Sequence, residues 1–390
     1  MSASPLPAAL EFDPALEILL ACARRDLRPV DRERANRALA AGVDWRRAVA
    51  LARRHRLVPL LHRHAAAIAI PDPARDELRH LADRAARHSL RLVQELIGLL
   101  DACANAGLRI VPLKGPVLAD CAYGSPALRH VDDLDLLYRA EDFRALKTIL
   151  RARGFEVPAW DTPDPRLYGS FHAVTLRGPR GAFTIDLHTA LLAPRGRRRW
   201  SYDLMAPRLR QRGFLGRPIE YLSDADALVY ACEHGGGHAW QRLEWMAAAA
   251  ALHEQFAGDP RELAEAIEFF GARRRVASAL ALAASLLGTR APDSGPDLRV
   301  RASTRLVSAR LRDPFRAGRD VSIFEIFAYQ LLTDPTLAAG VHRCWITFTR
   351  ATPAEGTPSR SRVIGVIRRQ LGLVRRHLGR PRPSPGRTRR

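Results

Sequence analysis

Arg129-His-Val-Asp-Asp-Leu-Asp-Leu-Leu-Tyr138 is the stretch on which the reading of this chain turns. Leu134 to Tyr138 is a short β-type run with carboxylates crowded at its head. Side chains alternate along a strand, so Asp133 and Asp135 point to one face while Leu134 and Leu136 turn to the core. Carboxylates that close repel each other unless a cation stands between them. Mg²⁺ takes oxygen ligands, commonly one or two carboxylates together with substrate phosphates. Asp132 belongs to the other face and reads as a turn or capping residue. A polar turn entering a strand would carry the same letters, so a third acid has to decide.

Ile185-Asp-Leu187 supplies it. Asp186 is the single charge in the run Ala182 to Leu187, and a carboxylate among aliphatic neighbours is costly to bury unless paired or metal-bound. An exposed position on a half-buried strand is the other reading. If this strand lies beside that of Asp135, three carboxylates converge, enough to hold two metals for in-line displacement at phosphorus. His188 either stands near that site or closes the strand as a satisfied histidine.

Upstream, Leu108-Arg-Ile-Val-Pro-Leu113 reads as the first strand, ended by Lys114-Gly115. Glycine lets backbone N–H groups approach a phosphate, and the start of the next helix favours an anion. Of the 62 basic residues only Lys114 and Lys147 are lysine. A lysine at this turn points to a compact ammonium where a guanidinium fork would not fit. Arg129 either offsets the charge of a triphosphate or is one more surface arginine.

Outward from this centre the apolar period divides the chain. Residues 1–100 read as a supporting helical region: Pro14 to Arg24, Trp45 to Leu61, and Leu78 to Leu100 with a stripe of Ala82, Ala86, Leu90, Val93, Ile97 and Leu100. Residues 101–205 mix strands and helices. Val117 to Ala122 and Glu141 to Arg153 are helical, the latter closed by Gly154, and Phe171 to Leu176 and Phe183 to His188 are strands joined by a hairpin-like loop. Residues 206–350 return to helices, at Asp224 to His234, Gln241 to Phe256, Pro260 to Phe270 and Arg274 to Leu287. Residues 351–390 form a basic tail whose composition predicts disorder. The expected class is α+β, a small mixed-sheet core flanked by N- and C-terminal helical regions.

His234-Gly-Gly-Gly-His238 has the i, i+4 spacing that lets two histidines of one helix share a metal. Three glycines argue against an ordered helix there, and a helix end and turn facing the cleft is the expectation. Trp240 and Trp245 either bracket a groove or pack in the core.

The chain has 390 residues, 47% hydrophobic and 26% charged, the profile of a globular protein of two or three compact units. Its formal charge of +21 admits weak nucleic-acid association through a basic surface, and the arginine skew equally fits GC-rich coding bias. Five scattered cysteines without a CxxC pair read as reduced thiols. No basic n-region precedes Glu11 and Asp13, and Val276 to Leu287 is too short to cross a bilayer. The expectation is a cytoplasmic protein with no membrane partner.

Leu113-Lys-Gly, Tyr123-Gly-Ser-Pro126, Arg129, Asp133-Leu-Asp-Leu-Leu137 and Ile185-Asp-Leu-His188 together resemble the uncharacterised nucleotidyltransferase family of the DNA polymerase beta superfamily. The resemblance covers residues 10–260, taking in Trp45, His55, Glu233-His-Gly, Trp240, Arg242-Leu243 and Trp245. It implies metal-dependent transfer of a nucleoside monophosphate from an NTP, such as ATP, to an acceptor that is a small molecule, protein or RNA. Asp133, Asp135 and Asp186 would hold Mg²⁺ or Mn²⁺, with Asp186 also helping to deprotonate the acceptor. Gly115 with Lys114 would stand where the superfamily cradles the triphosphate. This chain reads Lys-Gly-Pro where Gly followed by Ser or Gly is usual, and Met246 and alanines where an Asp tends to follow Trp245. A non-catalytic nucleotide- or nucleic-acid-binding protein on the same fold is the alternative.

Overall fold

Among the described residues five helices precede the first strand: α1 (Pro14–Cys22), α2 (Pro29–Ala40), α3 (Trp45–His55), α4 (Val58–Arg63) and α5 (Asp72–Asn105). The computed structural model describes residues 11–159, 173–192, 199–291 and 297–349. α1 starts where it should, with the Asp13 carboxylate accepting from the Ala15 N–H and proline in the first turn. The apolar repeat from Trp45 to Leu61 is two helices rather than one. Arg56 takes a left-handed φ of 60° as the cap of α3, and Pro59, which cannot donate in a helix interior, sits in the first turn of α4.

α5 buries Leu78, Ala82, Ser89, Leu92, Val93, Leu96, Leu99 and Cys103, and Ile97 and Leu100 pack partly buried against the core, so the expected stripe faces inward except at Leu90, which is 52% exposed. Ser89 faces inward because its hydroxyl donates to the Pro126 carbonyl at 2.7 Å.

The main sheet has four strands, built around helices α6 and α7. In chain order these are β1 (Ile110–Pro112), α6 (Gly115–Tyr123), β2 (Asp133–Tyr138), α7 (Phe143–Ala152), β3 (Ala173–Arg177) and β4 (Thr184–His188). The spatial order is β1-β2-β4-β3, with β2 and β4 parallel and both outer pairings antiparallel. Residues 171 and 172, expected at the start of β3, lie outside the described residues. Leu134, Leu136, Leu137 and Tyr138 are buried along β2, which makes it the hydrophobic spine of the sheet.

A short helix, α8 (Tyr202–Met205), leads to a hairpin of β5 (Leu209–Phe214) and β6 (Arg217–Leu222) that the sequence reading missed. Its two central residues, Leu215 and Gly216, both have positive φ, as a two-residue primed turn requires. Leucine at the first of them and Pro218 inside the run both disguise the hairpin.

The C-terminal helices are α9 (Asp224–Gly237), α10 (Leu243–Gln255), α11 (Pro260–Phe270), α12 (Arg273–Leu287), α13 (Leu298–Arg312), α14 (Pro314–Ala317), α15 (Ile323–Thr333) and α16 (Leu337–Thr349). Helix α9 ends in this segment as expected, with His238 as its cap, but it stays helical through Gly235, Gly236 and Gly237, where three glycines were expected to prevent an ordered helix. Each glycine costs about 1 kcal/mol of helix propensity, but here side chains must pack on the bare backbone. A Cβ on Gly235 would fall 2.2 Å from the Trp240 ring, and one on Gly236 would fall 2.9 Å from Arg275 Cγ.

The chain is thus a helical protein with a small mixed sheet, an α+β fold. The described residues up to Gly340 fall in one compact unit and those from Val341 in a second. The expected disordered tail, 351–390, falls outside the described residues. Cys22, Cys103, Cys121 and Cys232 are buried free thiols, and among the described residues no helix is long and apolar enough to cross a membrane.

Candidate active site

The parallel register of β2 and β4 sets Asp135 directly opposite Asp186 and Leu137 opposite His188. Asp135 is buried, and one of its oxygens, Oδ1, accepts from Lys114 Nζ at 2.8 Å and lies 3.1 Å from His188 Nε2. The other, Oδ2, is buried with no hydrogen-bond partner among the described residues. Asp186 is held from the far side by Thr175, its neighbour on β3, whose hydroxyl donates to Oδ1 at 2.6 Å.

Asp135, Asp186 and His188 each offer a ligand atom, and these atoms lie within 4.8 Å of one another. That close group differs from the three acids read in the sequence: His188 belongs to it and Asp133 does not. Asp133 is half-buried at the head of β2, on the wall of a cleft of about 200 Å³ that the cluster opens into.

The charges of these acids are strongly linked. Burial, then the charge of Asp135, pushes the Asp133 carboxyl up to about 6, with Lys114 working the other way. Burial would also raise Asp135, but the Lys114 ammonium and the His188 hydrogen bond more than offset it and hold it well below the usual carboxylate range. Asp132, just before β2, is not a bystander cap. It is bound by His130 at 2.7 Å and by Arg56, and that His130 bond leads in drawing its pKa down to about 2 against the effect of burial.

Lys114 and Gly115 sit at the end of β1, where the Leu113 N–H donates to the Asp135 carbonyl at 2.9 Å. Gly115 has a φ of +62°, and a Cβ there would come 3.3 Å from the Asp133 carbonyl oxygen. Glycine is required by this close crossing of α6 over β2, whatever else the turn binds. Arg129 lines the cleft but is buried, with its guanidinium taken by Glu244 of α10.

Two features of this wall, Arg56 and Glu244, were not legible, whereas the helix end at His234 was expected to face the cleft. Arg56 reaches the cleft from the N-terminal helices, which the sequence reading assigned only support. Glu244 is an ordinary glutamate in the first turn of α10, and nothing in its spacing marks a partner. The rings of His234, His238 and Trp245 pack together with centroids 5.1 Å apart, and His234 and Trp245 face the cleft. Burial, then the nearby Lys114 charge, holds His234 well below the ordinary histidine range, so it is neutral. Among the described residues the metal-capable grouping is the Asp135 cluster, and the His234–His238 pair has no third ligand. Trp240 packs in the core, with its Nε1 donating to the Tyr329 hydroxyl at 2.7 Å.

A family model described as an uncharacterised nucleotidyltransferase matches residues 41–288. The chain belongs to that family. Neither a curated protein nor a solved structure matches it. The matched span of this nucleotidyltransferase holds every cleft residue named above, from Arg56 to Trp245.

Membership makes it a transferase acting on a nucleotide. Its donor set, two carboxylates and an imidazole around an oxygen without a partner, fits a divalent cation.

Proposed function

We propose that this chain moves a nucleoside monophosphate from an NTP to the hydroxyl of an acceptor, in the cytoplasm, with Mg²⁺ or Mn²⁺. The observation that carries this reading is Asp135 Oδ2, a buried acceptor with no partner inside a cluster of acids that opens onto a cleft. Burial of an unsatisfied carboxylate oxygen is unfavourable by kilocalories unless a ligand completes it.

Asp133, Asp135 and Asp186 would hold the metal, with His188 fixing Asp135 or joining the ligand set. Bound divalent cations would offset the charge of the triphosphate and make its α-phosphorus a better electrophile. The chain's own groups do the rest. Lys114, Gly115 and Arg129 line the side of the cleft at which phosphates would lie, with Arg129 steadied by Glu244. Asp186 takes the acceptor's proton as that oxygen attacks, and pyrophosphate leaves. Thr175 keeps Asp186 oriented for that exchange. The cleft names no acceptor, and the small-molecule, protein and RNA classes are separated by experiment.

The test is a paired measurement on one folded preparation. Each α-labelled NTP is offered with Mg²⁺ or Mn²⁺, and label is sought on the protein and on components of a cell extract while pyrophosphate is followed. Asp186→Asn should keep NTP affinity within a few-fold and lower transfer about 10²-fold or more, the scale of general-base removal. Equal transfer by parent and variant would remove Asp186 from the site. No transfer by the parent with any NTP, metal or extract would leave a nucleotide-binding protein.

A further inference from the structure

Asp133 and Asp135 line this cleft, Asp186 stands beside Asp135 on the next strand, and the ammonium bonded directly among them is that of Lys114, 2.8 Å from Asp135 Oδ1. The other lysine of the chain is elsewhere: Lys147 lies on α7, its Nζ 3.4 Å from the Ala159 carbonyl. We propose that Lys114 is an exchangeable counter-ion, which holds Asp135 while no divalent cation is bound and passes to the triphosphate when cation and nucleotide arrive together. This rests on the reading of the cleft as a metal and NTP site.

Three observations carry it. The oxygen that Lys114 holds is also held by His188 at 3.1 Å, so the ammonium can leave without stripping Asp135 of its orientation. Lys114 itself lines the cleft, at the turn into α6, so only its flexible four-carbon stem has to rotate. Arginine, which fills nearly every other basic position, would be locked there by a two-pronged fork, whereas an ammonium is a mobile point charge. The consequence is ordered loading. Metal alone competes with a resident cation and binds weakly, while metal with nucleotide gives the displaced ammonium a new partner.

The scarcity of lysine makes the exchange observable on the full chain. Lysine labelled with ¹⁵N at Nζ gives two signals, and loss of one in Lys114→Met assigns it. The probes are Mg²⁺ alone and Mg²⁺ with the non-transferable α,β-methylene analogues of ATP, GTP, CTP and UTP, whose ³¹P signals report binding. The Lys114 signal should stay near its starting position with Mg²⁺ alone and move when an analogue binds with Mg²⁺. An unmoved signal while ³¹P shows the analogue bound overturns the proposal and makes Lys114 a fixed strut. No ³¹P change with any analogue brings down the nucleotide-site reading itself, and the proposal with it.

Affinities provide a second measurement. Lys114→Met should bind Mn²⁺ alone about tenfold more tightly, by loss of the competing charge, and Mg²⁺–nucleotide about tenfold more weakly. A fixed strut predicts that both weaken, and that result would also refute exchange.

Discussion

Helix α9 carries Glu233 into one buried cluster of charge and, a residue later, His234 into the wall of another. In the first, Arg275 forks between Glu233 at 3.6 Å and Asp334 at 3.1 Å, and all three residues are sealed from solvent. In the second, Asp135 and Asp186 meet Lys114 and His188 beside a cleft of about 200 Å³. Both place ionised groups where desolvation is expensive. The first draws its cation from a planar, permanently charged guanidinium on α12, and nothing can enter to replace it. The second relies on a lysine, leaves Asp135 Oδ2 without a partner and opens outward. Buried charge alone therefore does not mark a site. A closed cluster with a fixed counter-ion joins helices, whereas an open one with an exchangeable counter-ion can take a ligand.

The sharpest way to break this contrast is to remove the fixed cation. Arg275→Met removes the guanidinium held between buried Glu233 and Asp334, and should cost about 3–5 kcal/mol of stability. Urea or thermal unfolding reads that loss, and added Mg²⁺ should not restore it. A variant as stable as the parent would mean the arginine cluster is not a structural joint.

A smaller effect is expected in the wall the two clusters share. Gly235→Ala gains about 1 kcal/mol of helix propensity but drives a methyl against the Trp240 ring, which sits 2.2 Å from the ideal Cβ position. Overpacking of this kind costs about 1–3 kcal/mol or more, so the net change should be destabilising. Denaturant midpoints for parent and variant decide it. A more stable variant would show that α9 shifts freely between the clusters and is not a rigid partition.

The smallest effect has the opposite sign. With its pKa raised to about 6 by burial and by Asp135, Asp133 keeps a proton in the folded chain that the unfolded chain releases near 3.8. Its contribution to stability falls as pH rises from about 4 through 6, and above that the ionised carboxylate is a cost. Asp133→Asn should stabilise the metal-free protein by on the order of 1 kcal/mol at pH 7. The gain should fade below pH 4, and Mg²⁺ should stabilise the parent more than the variant. Melting temperatures across pH check this. A variant less stable than the parent at pH 7 would mean that Asp133 is not repelled by its neighbours.

The sequence by itself determined whatever depends on residues a few positions apart. Alternation placed Asp133 and Asp135 on one face of β2 and a lone Asp186 inside β4, and the helical period located α10, α11 and α12 to within two residues at each end. Tertiary structure decided everything that depends on which surface meets which. The β2–β4 register, joining residues about fifty positions apart, put Asp135 opposite Asp186 and chose, of the two readings of His188, the one that sets it beside these acids. The burial of Arg129 against Glu244, and the arrival of Arg56 from the N-terminal helices, came from helices packing on the sheet. The inward turn of Ser89 on α5, and the helical turn that survives three glycines, were chosen by Pro126, Trp240 and Arg275. Local rules set what a segment can form, because backbone sterics and side-chain period act within a turn or a pleat. Partners set which of its faces is used, because burial and ion pairing are properties of two surfaces in contact.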